Sequence, residues 1–327
     1  LNKKDHIDCF VTASPFEYTS IVADNTRYKF SAKEVTLTGL PRHDTLLSAK
    51  ITVQKTLLIM PTWRNSIVGK TAGDGNTRLL NPGFMDTTFA RHWNSLLHSQ
   101  RLADMCYKHG FKVVFFPHSN IQPYLNQFDL PDYIEVLTHA AGSIQELFCN
   151  ATMMLTDYSS VAFDMAYLEK PTLYYQFDEA EVFSGSHTYE RGYFDYRLNG
   201  FGPVAVEESH ALDELEGLLQ RNGKPDAATL ARMHETFPYR DGKNCERVYQ
   251  AIIALDAPHN PETINMPILM DYAEQASKAK IWPLAERRWS QIYALMDETH
   301  HAAACLGLAT SLRNQGKFSE AWCYFDE

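Results

Sequence analysis

The residues that most invite a chemical reading form one run, Thr156-Asp157-Tyr158-Ser159-Ser160, between an apolar stretch and the helical pattern Val161, Phe163, Asp164, Ala166 and Leu168. At a helix start, exposed backbone N–H groups and two serine hydroxyls together favour an anion such as a diphosphate. An ordinary helix cap explains the same residues, because Ser and Asp are the usual capping types. Other polar and titratable side chains also follow short apolar runs, at Pro61-Thr62-Trp63-Arg64, Pro117-His118-Ser119, Thr138-His139 and Phe177-Asp178. Arginine and histidine there suit phosphoryl chemistry, in which growing negative charge needs cationic or N–H donors. A histidine satisfied by backbone, and arginines in surface ion pairs, are the competing explanations.

Regular elements must position these groups. The apolar runs predict strands over 56–61, 111–117, 133–137, 152–156 and 171–177, separated by helices over 85–110, 121–128, 143–150 and 160–169. Five strands alternating with helices predict an α/β fold with a doubly wound parallel sheet, whose ligands lie beyond the carboxyl ends of the strands. Residues 7–12, 14–22 and 35–38 read as strand, helix and strand, the tail of an earlier α/β domain. Pro258, Pro261 and Pro267 suit a linker over 256–267, and 268–327 carries helical patterns only. There, Ala273 and Ala309, like Ala285 and Ala321, are 36 residues apart. The segment resembles tetratricopeptide (TPR) repeats, with Gly316 in the turn of the second copy and Lys280 at the matching place in the first. Further helices are expected after it, because such stacks need about three repeats.

The 327 residues suffice for two domains and an appendage. With 45% hydrophobic and 21% charged residues, the composition is that of a folded globular chain. Lys and Arg total 30 against 40 for Asp and Glu, and a net charge of -10 argues against a nucleic-acid partner while leaving room for a local phosphate site. The apolar runs are strand-sized, far below the roughly 18 residues of a bilayer span. The start at Leu1 shows no signal-peptide pattern, so a fragment with upstream sequence missing is expected. Six cysteines without C-x-x-C spacing read as reduced thiols. The expected location is the cytoplasm.

On this background the run TDYSSVAFDMAYLEKPTLYY, followed by ERGYFDY and Gly202-Pro203, resembles the signature of the CDP-glycerol glycerophosphotransferases that build teichoic acids and some bacterial capsules. Thr38-Gly39-Leu40-Pro41-Arg42-His43-Asp44 is similar to that family's G-x-P-R-x-D turn, Pro61-Thr62-Trp63-Arg64 to its P-T-W-R, and His118 to its strand-end histidine. These motifs occur in one order across 5–255, which makes them more specific together than singly. The resemblance implies a GT-B-like fold of two Rossmann-like domains, with a nearly whole C-terminal donor domain over 55–255 and only a remnant of the N-terminal one over 1–54. The chain departs from the family at His43, where Asn is usual, and at Phe116-Pro117-His118-Ser119, which lacks a neighbouring basic residue. A second functional histidine, in a W-H-G-T-P-like motif, is absent and is expected upstream as the general base.

The activity implied by the resemblance is that of a polyol phosphotransferase using CDP-glycerol or CDP-ribitol. An acceptor hydroxyl on a growing polyol-phosphate polymer or a lipid-linked acceptor attacks the alditol-linked phosphorus, and CMP leaves. His118 is the expected catalytic residue, binding or protonating a phosphoryl oxygen. Ser159, Ser160, Thr62, Arg64, Arg191 and Asp157 are the expected donor set: the serines cradle the diphosphate, the arginines clamp it, and Asp157 with Asp164 holds the serine loop. Arg42 and Asp44 are expected to support the turn. No covalent cofactor and no metal ligand set is assigned. A GT-B nucleotide-sugar glycosyltransferase and a noncatalytic TPR scaffold are the alternatives. Three other groups have plain structural explanations: Gly69-Lys70-Thr71 lacks the P-loop spacing, His300-His301 reads as a turn, and Asp178, Glu179 and Glu181 as a polar loop. The helical segment, more acidic than basic, is expected to dock a protein or self-associate, with polymer binding at Arg287-Arg288 as the other option.

Overall fold

The computed structural model describes residues 7–24, 26–49, 54–69, 78–138, 143–183, 191–255, 266–295 and 298–325. Its contacts divide the chain into Arg42–Gly242 and a second unit made of Leu1–Pro41 with Lys243–Glu327. The expected boundaries at 54 and 255 therefore shift to 41 and 242.

In the second unit, β1 (Phe10–Thr12) pairs in parallel with β2 (Val35–Leu37). The helix Pro15–Val22 crosses between them. Ser14 caps it by accepting from Phe16 N, and Pro15 occupies the first turn, where its missing N–H costs nothing. Gly39 follows with φ 75°, and a Cβ there would lie 2.3 Å from Asn244 Oδ1, so both conformation and space demand glycine. Asn244 opens the helix Asn244–Ala254.

Among the described residues, four more helices belong to this unit: Met266–Lys278, Trp282–Ala294, His301–Asn314 and Phe318–Trp322. Lys280 (φ 58°) and Gly316 (φ 76°) both take the left-handed conformation. Each ends its helix with the same bond, Ile281 N to Ala276 O and Lys317 N to Leu312 O, both 3.0 Å. Ala273, Ala285, Trp289 and Leu308 fall in the shared core. Arg287 is buried and donates to Val22 O, Ala23 O and Phe30 O at 3.4, 3.3 and 3.0 Å. Its helix is thus hydrogen-bonded to the end of Pro15–Val22, and the helical segment forms one unit with Leu1–Pro41 rather than a separate appendage.

The larger unit is built on a six-stranded parallel sheet. Its strands are β3 (Thr56–Met60), β4 (Lys112–Phe115), β5 (Ile134–Val136), β6 (Met153–Thr156), β7 (Thr172–Tyr175) and β8 (Val204–Ala205), in the order β5-β4-β3-β6-β7-β8. Side chains alternate between two buried faces, as a sheet covered on both sides requires. Leu57, Ile59, Val113, Phe115 and Leu155 pack with Trp93, Leu97 and Leu215, while Leu58, Met60, Val114 and Met154 pack with Leu46, Phe148 and Met165. The α/β doubly wound sheet expected from the alternation is present.

Three details differ from expectation. The helix expected over 85–110 is a short 3-10 turn followed by Thr88–Leu97 and Gln100–His109, broken where Ser99 turns extended. The segment expected to be helical over 121–128 is a 3-10 helix, Gln122–Gln127. β8 was too short to stand out. It forms because a Cβ on Gly202 would lie 2.2 Å from Thr172 O, so only glycine lets the chain approach β7, where Tyr174 N then donates to Pro203 O. No helix among the described residues is long and apolar enough to cross a membrane.

Candidate functional site

Strand order reverses between β3 and β6: β4 and β5 lie on one side of β3, and β6, β7 and β8 on the other. At such a switch point the connections leave in opposite directions and open a crevice beyond the strand ends. The residues there are Pro61-Thr62-Trp63-Arg64 after β3 and Asp157-Tyr158-Ser159-Ser160 after β6, with Pro117-His118 after β4 and Gln176-Phe177-Asp178 after β7.

A buried polar network ties these ends together. Asp157 is fully buried, and its Oδ1 accepts from Thr62 N at 2.9 Å and from Tyr158 N at 2.7 Å. Gln176 Nε2 donates to Asp157 O at 3.0 Å. Arg64, only 3% exposed, lies 2.9 Å from Asp157 Oδ2 and donates to both Asp178 oxygens at 2.9 and 3.1 Å and to Thr62 O at 2.6 Å. Its guanidinium also stacks over Tyr158, 4.9 Å from the ring centre. Burial opposes the Arg64 charge, but Asp157 and Asp178 outweigh it and raise the pKa above the ordinary arginine value. Burial, reinforced by Asp178, likewise raises the Tyr158 phenol, whose O–H donates to Asp178 Oδ1 at 3.3 Å.

This arrangement corrects the expectations for Arg64, Asp178 and Asp164. Arg64 is saturated by carboxylates below the surface, so it positions the strand ends and does not clamp a diphosphate. Asp157, equally buried, holds the turns at Thr62 and Tyr158, the latter at the start of the serine run. Asp178, expected in a polar loop, is the third member of the network. Asp164 does not hold the serine loop. It accepts from Arg42 Nε at 2.8 Å and lies 3.4 Å from His43 Nε2, and although burial opposes its charge, the bonds from His43 and Arg42 hold its carboxyl below the ordinary range. His43 is buried and stacked on Tyr167 at 4.0 Å.

Above the network lie two cavities that share Ser159 and Ser160. One of about 260 Å³ is lined by Thr62, Trp63, Phe116 and His118 as well as the serines. Thr62 Oγ1 is buried there without a hydrogen-bond partner. Asn120 N donates to His118 Nδ1 at 3.2 Å, which puts the proton of the neutral ring on Nε2. The His118 and Trp63 rings lie 5.8 Å apart. The other cavity, about 420 Å³, is lined by the serines with Phe163, Glu179, Phe183, Arg191, Tyr193, Phe194, Tyr196 and Arg197.

Neither serine caps the helix Ala162–Tyr167: the capping position is Val161, and no side chain bonds there. The plain-cap explanation of Ser159 and Ser160 therefore fails, and six residues make too short a helix for its dipole to be the attraction. The loop after β7 completes the second cavity. Tyr196 O–H donates to Tyr158 O at 3.2 Å, and Asp195 Oδ1 caps its own turn through Arg197 N and Leu198 N. Arg191 and Arg197 both pair with Glu179, at 3.0 Å each.

Of the expected residues, then, His118, Thr62, Ser159 and Ser160 line one cavity, and Arg191 joins the same serines in the other. Glu179 is expected only as part of a polar loop, Arg197 carries no expectation, and Tyr193, Phe194 and Tyr196 enter only through the ERGYFDY run. The alternation of aromatic and charged residues from Arg191 to Arg197 was the available signal. His139 and the Lys70 loop lie outside the described residues.

A model of the family described as CDP-Glycerol:Poly(glycerophosphate) glycerophosphotransferase matches residues 1–254. The minor teichoic acid biosynthesis protein GgaB of Bacillus subtilis (strain 168) is 37% identical over 257 residues, covering 78% of this chain and 27% of GgaB. The teichoic acid ribitol-phosphate polymerase TarL of Staphylococcus aureus (strain NCTC 8325 / PS 47) is 22% identical over 263 residues, covering 76% of this chain and 41% of TarL. This chain thus spans well under half the length of either relative. A solved structure of the wall teichoic acid polymerase TagF aligns with TM-score 0.49 and 18% identity, covering 76% of this chain and 57% of that one. With a family match over most of its length and a relative above 30% identity, the chain belongs to the CDP-glycerol:poly(glycerophosphate) glycerophosphotransferase family.

Proposed function

We propose that this chain is the donor-binding part of a polyol phosphotransferase that takes CDP-glycerol or CDP-ribitol and passes the alditol phosphate to an acceptor hydroxyl of a teichoic-acid-like wall or capsule polymer. The observation that carries this reading is the pair Ser159-Ser160, shared by two cavities at the switch point of the sheet, one holding His118 and the other Arg191. The diphosphate lies across the serines. The alditol-linked phosphorus faces His118, and the cytidine-side phosphate faces Arg191.

In the reaction, the acceptor oxygen bonds to the alditol-linked phosphorus while the bond from that phosphorus to the bridging oxygen breaks. The electron pair leaves with CMP, and the acceptor proton passes to a base. His118 Nε2 donates to a phosphoryl oxygen as charge grows there. The serine hydroxyls and Thr62 Oγ1 supply further hydrogen bonds. Arg64, Asp157 and Asp178 keep the strand ends in register, so that these donors need not reorganise during the reaction. A GT-B-like pairing of domains and action at the cytoplasmic face of the membrane belong to the same reading.

The helical segment is proposed to be TPR-like and to dock a further helix pair. Trp282 and Trp289 pack into the core of this segment, whereas Phe318 and Phe325, 36 residues on, are 68% and 45% exposed. The surface that seats the second helix pair on the first is thus repeated on the second, where it stands open.

The test of the enzymatic reading is CMP release. Incubation of a longer protein that carries the expected upstream histidine with CDP-glycerol, CDP-ribitol and UDP-glucose in the presence of acceptor should yield CMP from a CDP-alditol and no UDP. Release of UDP alone would support the glycosyltransferase alternative.

A further inference from the structure

The second cavity is lined by two arginines and two carboxylates: Asp195, whose Oδ1 accepts from Arg197 N and Leu198 N, and Glu179, placed between the arginines. Arg191 Nη2 lies 3.0 Å from Glu179 Oε1 and Arg197 Nη2 3.0 Å from Glu179 Oε2, so each oxygen engages one guanidinium. The arginine side chains are 66% and 51% exposed, while that of Glu179 is 23% exposed. The carboxylate therefore sits inward of both cations, on the wall it shares with Ser159 and Ser160. Its backbone is anchored, because the preceding residue is Asp178, locked by Arg64. Beyond that anchor the side chain has three rotatable torsions, about which it can turn once the two arginine pairs part.

Two monodentate contacts from separate arginines to the two oxygens of one carboxylate are the same contacts those arginines make to two oxygens of a phosphate group. We propose that Glu179 is a placeholder for the donor's diphosphate: it keeps Arg191 and Arg197 in place while the site is empty, and it swings out when the phosphate oxygens take over both guanidinium groups. This inference rests on the donor-site reading above and adds to it a residue that opposes binding. A carboxylate left in place would face the incoming anion as a like charge, so donor binding includes the cost of breaking both pairs. Surface pairs of this kind are individually weak. The exchange is accordingly easy, and the arginines stay oriented without being locked. Arg197 becomes a second diphosphate contact beside Arg191, and Glu179 a residue that tunes affinity rather than one that touches donor.

The two possible roles of Glu179 have opposite signs. A placeholder weakens anion binding, so its removal tightens it; a residue required to hold the arginines in their working orientation strengthens binding, so its removal loosens it. Isothermal titration of the full chain with CDP separates them. The wild type binds, Glu179→Gln binds about fivefold more tightly, and Arg197→Ala binds at least fivefold more weakly. Glu179→Ala serves as the second variant, with the same sign, should the amide find a new partner. Wild-type binding with unchanged or weaker binding by both Glu179 variants would overturn the placeholder. Unchanged binding by Arg197→Ala would overturn the hand-over of that arginine. Absence of CDP binding by the wild type would instead contradict the donor-site reading itself, and the inference with it.

Discussion

Arg64 Nε lies 2.9 Å from Asp178 Oδ2, joining the residue that ends one strand connection to a residue 114 positions later in the chain. The same guanidinium reaches Asp157 at 2.9 Å, so the ends of β3, β6 and β7 meet at one buried cation. Two carboxylates against one guanidinium leave this centre negative beneath a crevice proposed to hold an anion. The negative charge is sequestered, however, and the hydroxyls and cations line the cavities above.

Removal of one member should therefore unfold rather than merely inactivate. Asp178→Ala leaves Arg64 with one carboxylate partner, and Arg64→Ala leaves two buried carboxylates without a cation, each at a cost of about 3–5 kcal/mol. Urea unfolding measures this as a lower midpoint. A variant with wild-type stability and reduced CDP affinity would return Arg64 to the donor-clamping role.

His118 should act on rate more than on binding. His118→Ala is expected to lower the rate of CMP release by about 10²–10⁴ and to change CDP affinity little, as steady-state kinetics and calorimetry would show together. Equal losses in both would make His118 a binding residue only.

The serines should show the reverse pattern. Hydrogen bonds to charged groups are each worth about 1.5–3 kcal/mol, so Ser159→Ala with Ser160→Ala should weaken CDP binding by at least tenfold with no loss of thermal stability. Stability is spared because neither hydroxyl caps the helix that follows it.

The acid limb of stability should depend on Asp164. Its folded pKa lies below the ordinary value of 3.8, held there against burial by His43 and Arg42. Such a group contributes stability that is fully present above the unfolded value and is lost as pH falls through the folded one. Denaturant titrations from pH 6 downward should show stability dropping below about pH 4 in the wild type and a flatter profile in Asp164→Asn. Identical acid limbs would contradict the assignment.

In the helical segment, Gly307 should tolerate no side chain. A Cβ there would lie 2.2 Å from the Trp289 ring, which packs in the core. Gly307→Ala is expected to cost about 1–3 kcal/mol, despite the helix propensity alanine adds, and thermal unfolding would detect it.

The legible part of this molecule was what period and local chemistry encode. The runs at 56–61 and 152–156 are apolar stretches ending in polar residues, and the ordered motifs place Ser159, Ser160 and His118 at strand ends and Arg191 in the ERGYFDY run. What could not be read was burial. Arg64 and Arg191 have the same side chain in similar motif positions, yet one is enclosed by Asp157 and Asp178 and the other lines a cavity, a difference set by residues far away in the chain. β8 escaped because two residues carry no period, and the break at Ser99 because the helices on either side share one apolar face. Lys280 shows the opposite case: it lacks the glycine that marks its counterpart at 316, but takes the left-handed turn because the helices around it pack as a pair.

The most direct test of the donor-site account is a crystal structure of the chain with CDP bound. The account predicts the diphosphate within about 3 Å of Ser159 or Ser160, with one phosphate turned toward His118 and the other toward Arg191 and Arg197. Diphosphate density elsewhere, with both serines and His118 uncontacted, would contradict it.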